Sequence, residues 1–213
     1  MRALGLLEQA IGRDPRYAPA LAAAANCHLV IDLGNWTDDP VANRRAALRL
    51  ARQALQLASD DPMVLATAGR VLGYFGEDIS AALRLVERAL ALNPSYAVGW
   101  RFGGILNLFA GRTESAIEHF ETCLRLDPRG SHGTTLFCIA AAYFLDKRFE
   151  EALEMFLSSL EEMPALVTTY QFLAACYAHL GRLREAGEIS EGAFRVREDQ
   201  PIPRAQARPH KTS

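Results

Sequence analysis

The sequence predicts an all-α solenoid of about eleven helices, and three observations carry the prediction. Alanine (35 residues) and leucine (29) dominate a 213-residue chain with only 8% aromatics, and both lose little freedom on entering a helix. A β-sandwich would want more Val, Ile, Thr and aromatic residues. Second, Ala47, Ala82, Ala116, Ala152 and Ala186, each following a polar turn, stand 35, 34, 36 and 34 residues apart. Third, Pro94, Pro128 and Pro164 each stand twelve residues after one of them. The residue before a proline is pushed out of the α region, so each marks a helix end.

Taken in order, residues 1–13 form a half-repeat, a lone second helix (Ala3, Leu7, Ala10) closed by Asp14-Pro15. No first helix precedes it, which leaves an uncapped face of Leu4, Leu7 and Ile11. Solenoid ends normally shield such faces, so either a partner, a second copy included, is expected there or the chain is the remnant of a longer one. Five helix pairs follow over residues 16–197. The first pair is split by a long loop near 29–40, because His28 to Ala47 spans 19 residues where Asn107 to Ala116 spans 9. The insertion holds Trp36 and the cap-like Thr37-Asp38-Asp39-Pro40. The second pair runs Leu65, Ala68-Gly69, Leu72, Ala82, Val86, Ala89, Pro94, with one extra residue in its turn. The third runs Trp100, Gly103-Gly104, Ala116, Phe120, Cys123, Pro128, its inward positions spaced i, i+4, i+7. The fourth runs Leu136, Ile139-Ala140, Tyr143, Ala152, Phe156, Ser159, Pro164. The fifth runs Tyr170, Leu173-Ala174, Tyr177, Ala186, Ser190, Ala193 and lacks the closing proline. Residues 198–213, with three prolines and no acid after Asp199, read as a disordered tail.

This periodic set of small, aromatic and proline positions resembles the tetratricopeptide repeat family. The resemblance implies a right-handed superhelix whose first helices line a concave ligand surface. The irregular stretches CHLVIDLGNW…DDP, LATAGRVLGYFGEDISAAL…ALNPSYAVGW and AIEHFETCLRLDPR are similar to the repeat region that follows the catalytic domain of bacterial class III adenylate/guanylate cyclases. That likeness implies a regulatory, partner-binding half. Nothing matches the catalytic half, so no cyclase activity is carried over.

The search for chemistry points away from an enzyme. No phosphate-binding loop, dinucleotide fingerprint, H-E-x-x-H or G-x-S-x-G occurs. His119 with Cys123 and Cys176 with His179 share helical spacing, but Cys123 reads as a packing residue and His119 as a surface one, so no metal is expected. The pairs Asp38-Asp39 and Asp60-Asp61 precede prolines and read as helix caps. Gly130-Ser131-His132-Gly133 reads as an inter-repeat turn. No cofactor is expected. A net charge of -2 gives no footprint for nucleic acid, and no apolar run reaches membrane-spanning length. Four scattered cysteines without C-x-x-C, and no signal-like start, suit a cytoplasmic protein.

What remains is the groove. The family's groove-facing offsets fall on Asn26, Arg70, Tyr74, Arg101, Ile105, Leu108, Phe109, Phe137, Phe144, Gln171 and His179. An apolar stripe with two arginines near one end suits a protein or peptide with hydrophobic anchors and a carboxylate. Several of these apolar residues could equally pack between neighbouring helices. Two further readings are a detached regulatory part of a cyclase-type enzyme and a self-associating solenoid.

Overall fold

The computed structural model describes residues 2–76, 78–130 and 132–199, and its described residues contain eleven helices and no strand. A lone helix α1 (Arg2–Arg13) precedes five pairs: α2 (Ala18–Leu33) and α3 (Pro40–Leu57), α4 (Pro62–Tyr74) and α5 (Ile79–Leu92), α6 (Ala97–Phe109) and α7 (Thr113–Leu126), α8 (His132–Leu145) and α9 (Phe149–Glu162), α10 (Val167–His179) and α11 (Leu183–Asp199).

Local chemistry sets the boundaries. Asp39, Asp61 and Asp78 cap α3, α4 and α5, their carboxylates accepting the first free amides at 2.8–3.2 Å. Pro40 and Pro62 follow at the first helical position, where a missing amide costs nothing. The turns inside the pairs share one closure. Gly111 and Gly181 adopt φ of 71° and 75°, and the next amide, of Arg112 or Arg182, reaches back to Asn107 or Tyr177. The fourth pair makes the same turn with Lys147 at φ 61°.

Each second helix packs on its own first helix and on the next first helix. Ala47, Ala82, Ala116 and Ala152 are at most 1% exposed at these contacts. Facing them, a Cβ on Gly104 would stand 2.4 Å from the Phe120 ring, and one on Gly73 2.4 Å from Leu106. Helices α2, α4 and α6 lie side by side, whereas α6 and α8 barely touch. Phenylalanines fill the wider part. Phe172 of α10 meets Phe137 and Phe144 of α8 edge-on at 5.6 and 5.3 Å, and stacks on Phe156 of α9 at 5.2 Å.

Four expectations are corrected. The long loop near 29–40 shrinks to residues 34–39, because α2 continues to Leu33 and α3 begins at Pro40. No breaker precedes Gly34, so the insertion becomes extra helix: α2 has 16 residues and α3 has 18, against 13 or 14 in the three following pairs. The face bearing Leu4, Leu7 and Ile11 is not bare, since those side chains pack on the α2–α3 core and Leu6 is the exposed one at 61%. Helix α1 thus covers one side of the first pair. His119 is half-buried, with its Nδ1 against the Ser115 carbonyl oxygen at 2.8 Å and its ring 5.0 Å from that of Trp100. His132 and Gly133 belong to α8, where the Gly133 carbonyl accepts from Ser159 Oγ at 2.9 Å. The expected tail lies outside the described residues, apart from 198–199, which continue α11.

Two substitutions test this packing by circular-dichroism melts. Gly104→Ala drives a Cβ into the buried Phe120 ring and costs about 1–3 kcal/mol. Lys147→Gly relieves the left-handed backbone and gains about 1 kcal/mol.

Candidate binding groove

The inner row of first helices brings together residues far apart in sequence. Small residues let α2, α4 and α6 approach, and Arg70 of α4 is held between them. Its Nη1 donates to Asn26 Oδ1 of α2 at 2.5 Å, and its guanidinium lies over the Phe102 ring of α6 at 4.7 Å. Burial, and then the neighbouring charge of Arg101, push Arg70 down to about 10. Arg101 lies 5.8 Å from the same Phe102 ring. Cys138 of α8 completes the cluster. Burial pushes its thiol up to about 11, against the opposing pull of Arg101 and Arg70. Among the described residues neither arginine forms an ion pair. Two cations therefore share a partly dehydrated site without a carboxylate.

A second group lies one turn away. Tyr74 donates its hydroxyl to Asp32 Oδ2 at 2.9 Å. Burial first, then that bond and the Asp32 charge, raise its pKa. Its ring meets Phe75 at 4.9 Å and Phe109 at 6.5 Å, and Phe109 is 54% exposed. Gly73, Tyr74, Gly76, Ile79 and Phe109 line an open hollow of about 520 Å³.

The other predicted groove residues divide. Ile105 and Leu108 are half-buried and pack against the Phe120–Ile139 cluster. Phe137 and Phe144 stand between α8, α9 and α10 as wedges, half-buried in the aromatic stack, instead of free anchors. His179 is exposed but lies flat on Phe149 at 4.2 Å. Gln171 lies apart, beside Tyr170 and Phe194 near the far end. Sequence reasoning missed Phe102, Cys138 and Asp32. Phe102 and Cys138 each follow a predicted groove residue by one position, and only helix rotation decides which of the two turns inward. Among the described residues no three His, Cys, Asp or Glu side chains gather as a metal site, and no helix is long and apolar enough to cross a membrane.

Comparison with known proteins agrees with this architecture. Residues 104–129 match the tetratricopeptide repeat family. Among solved structures, MamA (residues 41–end) from Desulfovibrio magneticus RS-1 superposes with a TM-score of 0.64 at 18% identity, over 84% of this chain and 97% of that one. A human IFIT1 dimer solved with m7Gppp-AAAA gives 0.77 at 21% identity, over 91% and 46%. Cut9 with Hcn1, from the APC/C hetero-tetramer, gives 0.75 at 15%, over 92% and 37%. These likenesses show the fold, an all-helical tetratricopeptide-type solenoid. The transcriptional regulator HilA of Salmonella typhimurium is 31% identical over 141 residues, covering 63% of this chain and 24% of that protein. The chain thus spans about a quarter of the length of that relative.

An arginine retained against the interest of the free fold has a signature in stability. Arg70→Met, of similar length and apolar, is expected to melt at or above the wild-type temperature. Asn26→Ala strips the guanidinium of its acceptor and costs about 1–3 kcal/mol. Scanning calorimetry of the two variants reads both effects.

Proposed function

We propose that this chain is a non-catalytic protein-interaction module whose inner face receives an acidic segment of a protein partner. Arg70 and Arg101 are the receptor for a carboxylate, and Tyr74 and Phe109 supply the adjoining apolar contacts. One observation carries the reading: two arginines sit together on the inner row, the first held by Asn26 and Phe102, with no carboxylate to answer them among the described residues. A guanidinium presents a planar fork that matches a carboxylate with two parallel hydrogen bonds. A dehydrated, apolar wall around that pair strengthens the interaction. A groove for a nucleic-acid backbone would instead carry a track of cations along its length, and here the pair stands beside Ile105 and Cys138.

The likenesses to MamA and to the Cut9–Hcn1 assembly support an interaction scaffold. The alignment with part of HilA supports a place within or beside a regulatory protein. The four free thiols, Cys27, Cys123, Cys138 and Cys176, suit a reducing compartment such as the cytoplasm.

The test is fluorescence anisotropy with an array of peptides that combine glutamates with spaced leucine or phenylalanine anchors. Arg101→Glu should weaken the tightest binder about 10–100-fold, the loss expected for a charge-assisted contact of about 1.5–3 kcal/mol, with the helical melt unchanged. Arg101→Lys should recover part of the affinity. An unaltered affinity in Arg101→Glu would remove the arginine pair from the site.

A further inference from the structure

The second helices carry an unused pattern on their outer faces. Counting from each repeat alanine, the positions two before and two, five and nine after form one stripe, spaced i, i+4, i+7, i+11. Every residue on the five stripes is exposed. Each stripe is about 16 Å long at 1.5 Å per residue. On α3 it reads Arg45, Arg49, Arg52, Gln56, and α3 contains no acidic residue. On α9 it reads Glu150, Glu154, Leu157, Glu161, and α9 contains no Lys or Arg.

The intervening and following helices differ in kind. On α5 the stripe is Ser80, Arg84, Glu87, Ala91, and Arg84 lies 3.9 Å from Asp78. On α11 the charges pair within the helix, Arg184 with Glu188 at 3.5 Å and Arg195 with Glu191 at 3.8 Å. On α7 the stripe is Glu114, Glu118, Glu121 and Arg125, acidic but closed by a cation. The two stripes that carry no charge of the opposite sign are therefore those of α3 and α9, one basic and one acidic, near opposite ends of the repeat row. Arg45 and Arg49 make no ion pair among the described residues, although Glu8 of α1 shares a cleft with Arg49. Glu150 and Glu154 likewise make none, since Arg148 takes Glu151.

Shape agrees with charge. The α3 stripe borders a shallow hollow of about 510 Å³ that includes Leu48, Gln53 and Gln56. The α9 stripe carries Leu157, 38% exposed, in its middle. We propose that copies of this chain associate head to tail, the arginine stripe of α3 docking on the glutamate stripe of α9 of the next copy. Identical spacing lets Arg45 and Arg49 stand opposite Glu150 and Glu154, with Leu157 one turn on, over the end of the hollow lined by Gln53 and Gln56. The occupant is a second copy because the matching stripe, in sign, spacing and length, is displayed by the same molecule. The contact is heterologous, so it leaves one free stripe at each end and grows with concentration.

Sedimentation velocity on the full chain tests this at two ionic strengths. At about 0.01 M, where charges act over about 30 Å, the average mass should rise with concentration. At about 1 M, where they act over about 3 Å, it should return to the 23.4 kDa monomer. Arg45→Glu with Arg49→Glu, and separately Glu150→Arg with Glu154→Arg, should each weaken self-association at least tenfold at low salt. Their equimolar mixture should associate again, and circular-dichroism melts on the same samples show whether each variant is folded. A wild-type chain that stays monomeric at low salt at every concentration overturns the inference. A mixture of folded variants that stays monomeric also overturns it. So does a monomeric wild type that binds a single-stranded oligonucleotide through Arg45, which would assign the stripe to phosphate.

Discussion

The close approach of paired helices at alanine and glycine is the constraint on which the rest of the molecule depends. Two helices come within about 8–10 Å only where the contact residues permit it. Ala47, Ala82, Ala116 and Ala152 are almost wholly covered at those contacts, and the Phe120 ring occupies the space a side chain at position 104 would need. Helix α2 carries the principle furthest, with Ala18, Ala20, Ala22, Ala24 and Ala25 buried on several sides at once. It can therefore touch α1, α3 and α4 together. Asn26 reaches Arg70 across 44 residues of chain because of that approach.

The same constraint relaxes along the row, and the chemistry changes with it. Where α2, α4 and α6 are close, polar side chains on the inner face lose water and Arg70 is pushed down by burial. Where α8 and α10 stand farther apart, Phe137, Phe144 and Phe172 fill the interval with edge-on contacts. Aromatic pairs of this geometry add about 0.5–1.5 kcal/mol beyond their burial. The first half of the row thus concentrates charge in a dry place, and the second half uses its groove-facing positions for cohesion.

Much of the repeat architecture was legible in the sequence because it is written in spacing. The alanine interval and the prolines each have a local physical cause that needs no tertiary knowledge. The insertion before Ala47 was visible as a length, but its form was not, since a helix extended to Leu33 and a loop from residue 29 satisfy the same count. Helix α1 looked bare because a covering helix and an uncovered one show the same apolar stripe. The groove list mixed contact residues with wedges for a related reason. Phe109 and Phe144 stand near the ends of first helices, yet one is 54% exposed and the other is enclosed by Phe149, Phe172 and His179. That difference comes from the width between helices, a property of neighbours and not of the segment itself. The partnership of Arg70 with Asn26 and Phe102 was unreadable for the same cause.

The arrangement in which each helix touches only helices one or two places away in the chain has a consequence for how the molecule comes apart. Among the described residues no extensive contact joins the first pair to the last, so the chain behaves as a row of coupled units in which disorder can enter at one end and stop. The last pair is the least covered of the five. Ala186 is only half-covered where its four counterparts are sealed, and among the described side chains of α11 none is buried. Opening there leaves Arg70 and Arg101, three and two helix pairs away, undisturbed. Amide protection should accordingly be graded along the row, and a single melting temperature describes an average over units instead of one cooperative event.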